Sequence, residues 1–141
     1  MKFDNEFTLD IMALSQNEGF ARSMVAAFCV QLDPSISQIN DIKTAVSEAV
    51  TNAIVHGYAG KQGSVLLHVG ILKNTVFITV SDNGCGIEDI EKARQPFYTT
   101  KPSEERSGMG FTVMESFMDS LEVKNKPKGG LVVHMKKVIR K

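Results

Sequence analysis

The chain is short of several features that would narrow its function at once. It carries no surplus of charge. Sixteen Lys and Arg balance 16 Asp and Glu, for a formal net charge of +0, so no bulk basic field argues for a nucleic acid or an anionic membrane as partner. Two cysteines, Cys29 and Cys85, make neither a disulfide framework nor a zinc site. The opening MKFDNEFTLD has no apolar signal core, and no apolar run is long enough to span a bilayer. Internal repeats, linkers and low-complexity segments are missing as well. What remains is a 141-residue chain with the 43% hydrophobic and 23% charged content of an ordinary globular protein. A single domain over residues 1–141, reduced and cytoplasmic, with a proper core, is the expectation.

The hydrophobic pattern supplies the elements. Phe3, Phe7, Leu9 and Ile11 alternate with Asp4, Glu6, Thr8 and Asp10, the period of a strand. Ser15 followed by Glu18 is a capping-box signature, and Phe20, Met24, Ala27 and Phe28 then recur at helical spacing to about Leu32. After the break at Asp33-Pro34-Ser35, Ile39, Ile42, Ala45, Val46, Ala49, Val50 and Ala53 mark the buried side of a second helix, with Gly57 placed as its C′ glycine. Strands follow over Ser64 to Leu72 and Thr75 to Ser81, joined at Lys73-Asn74, where Asn tolerates positive φ. From Asp82 to Gly110 the pattern is irregular, with one helical turn at Glu88 to Arg94. Phe111, Met114, Phe117 and Leu121 predict another helix, and strands at Leu121 to Asn125 and Leu131 to Val138 flank Pro127-Lys128-Gly129-Gly130. Regular strand–helix alternation is absent, which excludes a doubly wound parallel fold. The class is α+β: a two-layer sandwich, with helices on one face of a mixed, mostly antiparallel sheet.

Three segments carry candidate chemistry. In Glu48-Ala49-Val50-Thr51-Asn52-Ala53-Ile54-Val55-His56, the spacing i, i+4, i+8 projects a carboxylate, a carboxamide and an imidazole from one helix face. Glu48 suits a general base, and the Asn52 oxygen a hard cation such as Mg²⁺. Alone, the pattern is better explained as a solvated face. Asp82-Asn83-Gly84-Cys85-Gly86 closes an apolar strand; its glycines let backbone approach a flat ligand, and Asp82 can accept from an exocyclic amine. Alone, Asp-Asn-Gly is a common turn. Thr99-Thr100-Lys101 through Arg106-Ser107-Gly108-Met109-Gly110 brings hydroxyls and cations to a helix start, where phosphate binds; the alternative is a mobile surface loop with a helix start. Neither a Walker motif nor a Rossmann fingerprint is present.

Together, and in this order, the three resemble the ATP-binding fold shared by histidine kinases, DNA gyrase, Hsp90 and MutL. Asn52-Ala53-Ile54-Val55-His56-Gly57-Tyr58 is similar to the anti-sigma factor serine kinases within that superfamily. Ala93 to Pro102 and Glu105 to Phe111 resemble its sporulation branch more closely still.

The resemblance implies ATP or ADP and Mg²⁺ as ligands, a sigma factor as binding partner, an anti-anti-sigma protein as phosphorylation substrate, and a homodimer that touches neither nucleic acid nor membrane. It implies Glu48 as the base toward a serine hydroxyl, Asn52 as the Mg²⁺ ligand, and Asp82 on the adenine amine with Gly84 and Gly86 flooring the pocket. Thr99, Thr100, Lys101, Arg106, Ser107, Gly108, Met109 and Gly110 correspond to its lid and phosphate-binding region, and Arg22 to its partner-binding arginine. His56 corresponds to no phosphoacceptor. One departure stands out: relatives commonly place a Thr in the last strand near adenine, where this chain has Gly129-Gly130-Leu131-Val132-Val133. A different reading of the same motifs is a nucleotide-gated sigma-binding module without transfer, and a stress-response anti-sigma kinase is a nearer neighbour.

Overall fold

The computed structural model describes residues 2–94 and 110–141. Five strands, β1 (Asn5–Met12), β2 (Ser64–Leu72), β3 (Thr75–Asp82), β4 (Ser120–Asn125) and β5 (Leu131–Val138), form one sheet in the order β1-β2-β3-β5-β4. All four neighbouring pairs are antiparallel, so the expected sandwich holds without a parallel pair among the described residues. The alternation read from sequence sets the faces. Val65, Leu67, Val69 and Ile71 of β2 and Val76, Ile78 and Val80 of β3 are buried under the helices.

Phe3 departs from this alternation. The first strand begins at Asn5, and Phe3 crosses to the outer face, its ring 5.6 Å from that of Phe77. It fills the space left by Gly70, where a β-carbon would come within 2.5 Å of the Phe3 ring.

Helix α1 (Asn17–Cys29) buries Ala21, Val25 and Cys29 rather than the predicted stripe. Phe20 and Met24 are 50% and 40% exposed, and Phe28 packs on Phe7 at 4.7 Å. Helix α1 packs on α2 (Ile36–Asn52), whose own buried residues include Ala45 and Ala49. Nor does the Ser15–Glu18 box form. Gln16 occupies the N-cap without a side-chain bond, and Glu18 instead accepts from Arg22 Nε at 2.9 Å.

The reciprocal box lies at α2. The Gln38 N–H donates to Ser35 Oγ at 3.1 Å, and the Ser35 N–H to Gln38 Oε1 at 2.8 Å. A cap of this kind stabilises a helix by about 1 kcal/mol. It fixes the start of the helix that carries Glu48.

The far end of α2 also differs from expectation. Gly57 is no left-handed cap. The helix widens into a π turn over Ala53–Gly57, closed by the Tyr58 N–H to the Ala53 carbonyl at 3.2 Å, and the left-handed residues are Ala59 and Gly60. At the β2–β3 hairpin the positive φ falls on Lys73, at 56°, not on Asn74. The single turn predicted near residue 90 is α3 (Ile90–Ala93), capped by Asp89, whose Oδ1 accepts from the Lys92 N–H at 3.1 Å. Helix α4 (Gly110–Phe117) completes the helical layer, packed on α2. No helix among the described residues is long and apolar enough to cross a membrane.

Candidate functional site

One turn of α2 separates Glu48 from Asn52, and both are half-buried. His56, one further i+4 step along, falls in the π turn over Ala53–Gly57 and is also half-buried. Glu48 Oε2 lies beside the first residue of α4: a β-carbon on Gly110 would come within 3.4 Å of it. The carboxylate thus stands next to a helix N-terminus, where free N–H groups and the dipole favour phosphate.

Asp82 ends β3 and is the buried charged side chain of the described core, at 4% exposure. Burial pushes its carboxyl above the usual range, and the backbone N–H groups of Gly84 and Leu131, then the Lys126 ammonium, pull it back in part. The Gly84 N–H donates to Asp82 Oδ1 at 2.8 Å.

Backbone packs tightly around this carboxylate. A β-carbon on Gly57 would sit 3.1 Å from Asp82 Oδ1, and one on Gly84 would lie 2.0 Å from the Gly57 carbonyl oxygen. The Cys85 N–H closes the same junction, donating to the Gly57 carbonyl at 2.9 Å. Gly130, with φ +100°, leaves no room either, since a β-carbon there would lie 2.0 Å from the Asp82 carbonyl oxygen. The end of the α2 helix and the loop after β3 therefore meet as bare main chain.

Three further residues hold this loop, and their types gave no hint of it. Tyr58 OH donates to the Ser64 carbonyl at 2.5 Å and accepts from the Asn83 N–H at 2.8 Å. Asn125 grips Ile87 from both sides, accepting from its N–H at 2.8 Å and donating to its carbonyl at 2.6 Å. Lys126 Nζ donates to the Asp82 carbonyl at 3.2 Å and to Asn83 Oδ1 at 2.5 Å. Gly86, at φ +72°, takes a conformation that glycine alone adopts freely, against Asn125. The segment Gly130 to Val133 offers no hydroxyl near Asp82, and what it supplies is the Leu131 N–H.

Thr99, Thr100, Lys101, Arg106, Ser107, Gly108 and Met109 lie outside the described residues. The chain on either side of them is held together. Arg94 pairs with Glu115 of α4 at 2.7 Å, and the Thr112 hydroxyl donates to the Arg94 carbonyl at 3.4 Å.

Arg22 and Glu48, which the sequence offered as unrelated candidates, line one polar cleft of about 250 Å³ between α1 and α2, with Asn40, Lys43, Thr44 and Ser47. Among the described residues no group of three or more His, Cys, Asp or Glu is placed to hold a metal. Mg²⁺ needs no such cage, because waters and nucleotide phosphates fill most of its shell. The single carboxamide oxygen of Asn52 fits that pattern.

Residues 13–137 match the model of the histidine kinase-like ATPase domain family. The chain is 57% identical over 135 residues to the anti-sigma F factor of Clostridium perfringens strain SM101, covering 95% of this chain and 96% of that protein. With the anti-sigma F factor of Caldanaerobacter subterraneus subsp. tengcongensis the identity is 55% over 139 residues, covering 99% and 97%. The chain belongs to the anti-sigma F factor family. Its fold is also that of two solved structures. The RsbU and RsbW domains of Rv1364c from Mycobacterium tuberculosis superpose with a TM-score of 0.69 at 17% identity, over 96% of this chain and 32% of that one. The catalytic domain of the histidine kinase ThkA gives 0.62 at 18%, over 99% and 97%. As a kinase-like ATPase domain, the chain binds a nucleotide.

The raised Asp82 carboxyl has a measurable consequence in this anti-sigma F factor family member. A group whose folded pKa exceeds its unfolded value loses native stability as pH rises from the unfolded value, 3.8, through the folded one. Asp119 works oppositely: the Val138 N–H holds its carboxyl low, so its contribution is lost as pH falls below the same 3.8. Asp82→Asn isolates the first effect. Without nucleotide, its stability relative to wild type should be flat at acid pH, climb as pH passes upward through that window, and level off above it. Urea melts across the pH range give the difference, and a stability of the variant that falls relative to wild type with rising pH would contradict the assignment.

Proposed function

We propose that this chain holds a sigma factor while ATP is bound and transfers the γ-phosphate of Mg-ATP to a serine of an anti-anti-sigma protein, acting in the cytoplasm as a homodimer. The observation that carries the reading is the position of Glu48. Its carboxylate stands between the start of α4 and a cleft open to a protein partner. The name borne by relatives at 55–57% identity supports sigma antagonism.

In this reading Asp82 accepts from the adenine amine, and Gly84 and Gly86 let the ring lie against main chain. The γ-phosphate sits toward Gly110, with Thr99, Thr100, Lys101, Arg106, Ser107, Gly108 and Met109 completing its contacts. When bound, Mg²⁺ neutralises phosphate charge, with Asn52 as its protein ligand. Glu48 takes the proton from the serine hydroxyl as the serine oxygen–phosphorus bond forms and the bond to the β-phosphate oxygen breaks; ADP departs with that electron pair. Most of the rate enhancement comes from placement and charge neutralisation. Arg22, on the α1 side of the cleft, meets the incoming protein.

The experiment is incubation with Mg²⁺, γ-labelled ATP, the sigma factor and the anti-anti-sigma protein. Acid-stable phosphoserine on the latter and ATP-dependent capture of the former are expected. Capture without transfer would assign the chain to nucleotide-gated binding alone, and acid-labile label on His56 would make it a histidine kinase.

A further inference from the structure

The loop that follows β3 is held on two sides by different means. Toward α2 it meets main chain, where the Cys85 N–H donates to the Gly57 carbonyl at 2.9 Å. Toward the sheet edge it meets a side chain. Asn125, the last residue of β4, takes both main-chain groups of Ile87: its Oδ1 accepts from the N–H at 2.8 Å, and its Nδ2 donates to the carbonyl at 2.6 Å. The ladder between β3 and β5 has already ended at Ser81 and Val132. The carboxamide therefore stands where a paired strand would offer a peptide group, and it suits that task because it carries a donor and an acceptor together.

The same clasp bears on Gly86, where a β-carbon would come within 2.5 Å of Asn125 Oδ1. Ile87 itself is half-buried against the core. The span from Gly84 to Gly86 is thus fixed at both ends, by Gly57 on one side and by Asn125 on the other. Asn125 is exposed, so removing its side chain opens no cavity, and its two bonds weigh on the loop rather than on the fold.

Resting on the reading that adenine lies against Gly84 and Gly86, we infer that Asn125 is a positioning residue for the nucleotide base, holding the floor of the pocket in its binding conformation before the nucleotide arrives. It acts through the loop. A floor that spends only part of its time in the right conformation binds with an affinity reduced by that fraction. The phosphate end, built on α2 and α4, is left as it was.

The test is calorimetric titration of ATP and ADP, with steady-state transfer to the anti-anti-sigma protein, for wild type, Asn125→Ala, Asn125→Asp, Gly86→Ala and the double variant Asn125→Ala/Gly86→Ala. Asn125→Ala should raise the Kd of ATP and of ADP by the same factor, roughly tenfold. The KM for ATP should follow, with kcat at saturating ATP unchanged. Asn125→Asp keeps an acceptor for the Ile87 N–H but sets a carboxylate against the Ile87 carbonyl, so it should not recover the affinity. Gly86→Ala pushes the carboxamide off Ile87, so the loss in the double variant should fall short of the product of the two single losses. A lowered melting temperature with unchanged Kd is the mark of a merely structural residue and overturns the inference. So does a loss confined to ATP, a fall in kcat, wild-type affinity in Asn125→Asp, or a double variant at the full product. If Asp82→Ala weakens ATP and Asn125→Ala does not, only the role of Asn125 falls. If Asp82→Ala leaves ATP affinity unchanged, the adenine reading falls with it.

Discussion

Glu48→Gln is expected to lower transfer of phosphate to the anti-anti-sigma protein by roughly 10²–10⁴-fold, the usual contribution of a positioned base, while leaving nucleotide affinity close to wild type. The separation follows from position. Glu48 lines the α1–α2 cleft and stands beside Gly110, whereas Asp82, to which the proposed function gives the adenine, lies at the end of β3. Glutamine keeps the size and a hydrogen-bonding oxygen but cannot take a proton, so the fold and the bound nucleotide survive and the chemical step does not. Sigma capture with ATP should persist for the same reason. Asn52→Ala should behave differently, weakening the Mg-nucleotide complex itself. Single-turnover transfer paired with calorimetric ATP titration distinguishes the two variants. Normal transfer by Glu48→Gln would remove Glu48 from the chemistry.

Gly130→Ala should cost roughly 3 kcal/mol or more of folding stability. Two independent penalties add there. The new β-carbon would lie 2.0 Å from the Asp82 carbonyl oxygen, and overpacking against structure that cannot yield costs about 1–3 kcal/mol. The backbone at φ +100° is strained for any L side chain by about another 1–3 kcal/mol. For a domain of this size, about 3 kcal/mol is a fall of roughly 6–12 °C in Tm. Gly60→Ala is the control: its φ is also positive, at +86°, but nothing lies within 4 Å of the added carbon, so it should show the smaller, conformational part alone. Equal melting temperatures for the two would mean that the packing around Asp82 contributes nothing.

The strands were legible because their patterning is local. Alternation along β2 and β3 assigns each side chain a face without reference to the rest of the chain, and the sheet follows. Helix α1 misled because two of its largest apolar residues, Phe20 and Met24, are exposed, while its buried positions carry the smaller Ala21, Val25 and Cys29. Hydrophobicity alone does not encode that choice. The end of α2 misled for a related reason, since a π turn has no residue signature comparable to a C′ glycine. Asp82 could be singled out from its motif, yet the side chains that hold its loop could not. Tyr58, Asn125 and Lys126 reach it across 25, 38 and 44 positions of sequence, and each is unremarkable where it stands. Glu48 and Arg22 were each legible by resemblance, but their meeting in one cleft depends on how α1 crosses α2.

The bare contact between Gly57 and Gly84 sets a length scale. It joins the helix that bears Glu48 and Asn52 to the strand that bears Asp82 through main chain alone, with no rotamer between them to adjust. Under the proposed function, the span from adenine to transferred phosphorus is therefore measured by backbone, like the gap of a fixed caliper. Nucleotides with a lengthened or shortened polyphosphate should be rejected by misfit in reach, even when their base is bound correctly. Widening the gap by a side chain at position 84 should shift that preference rather than simply weaken it.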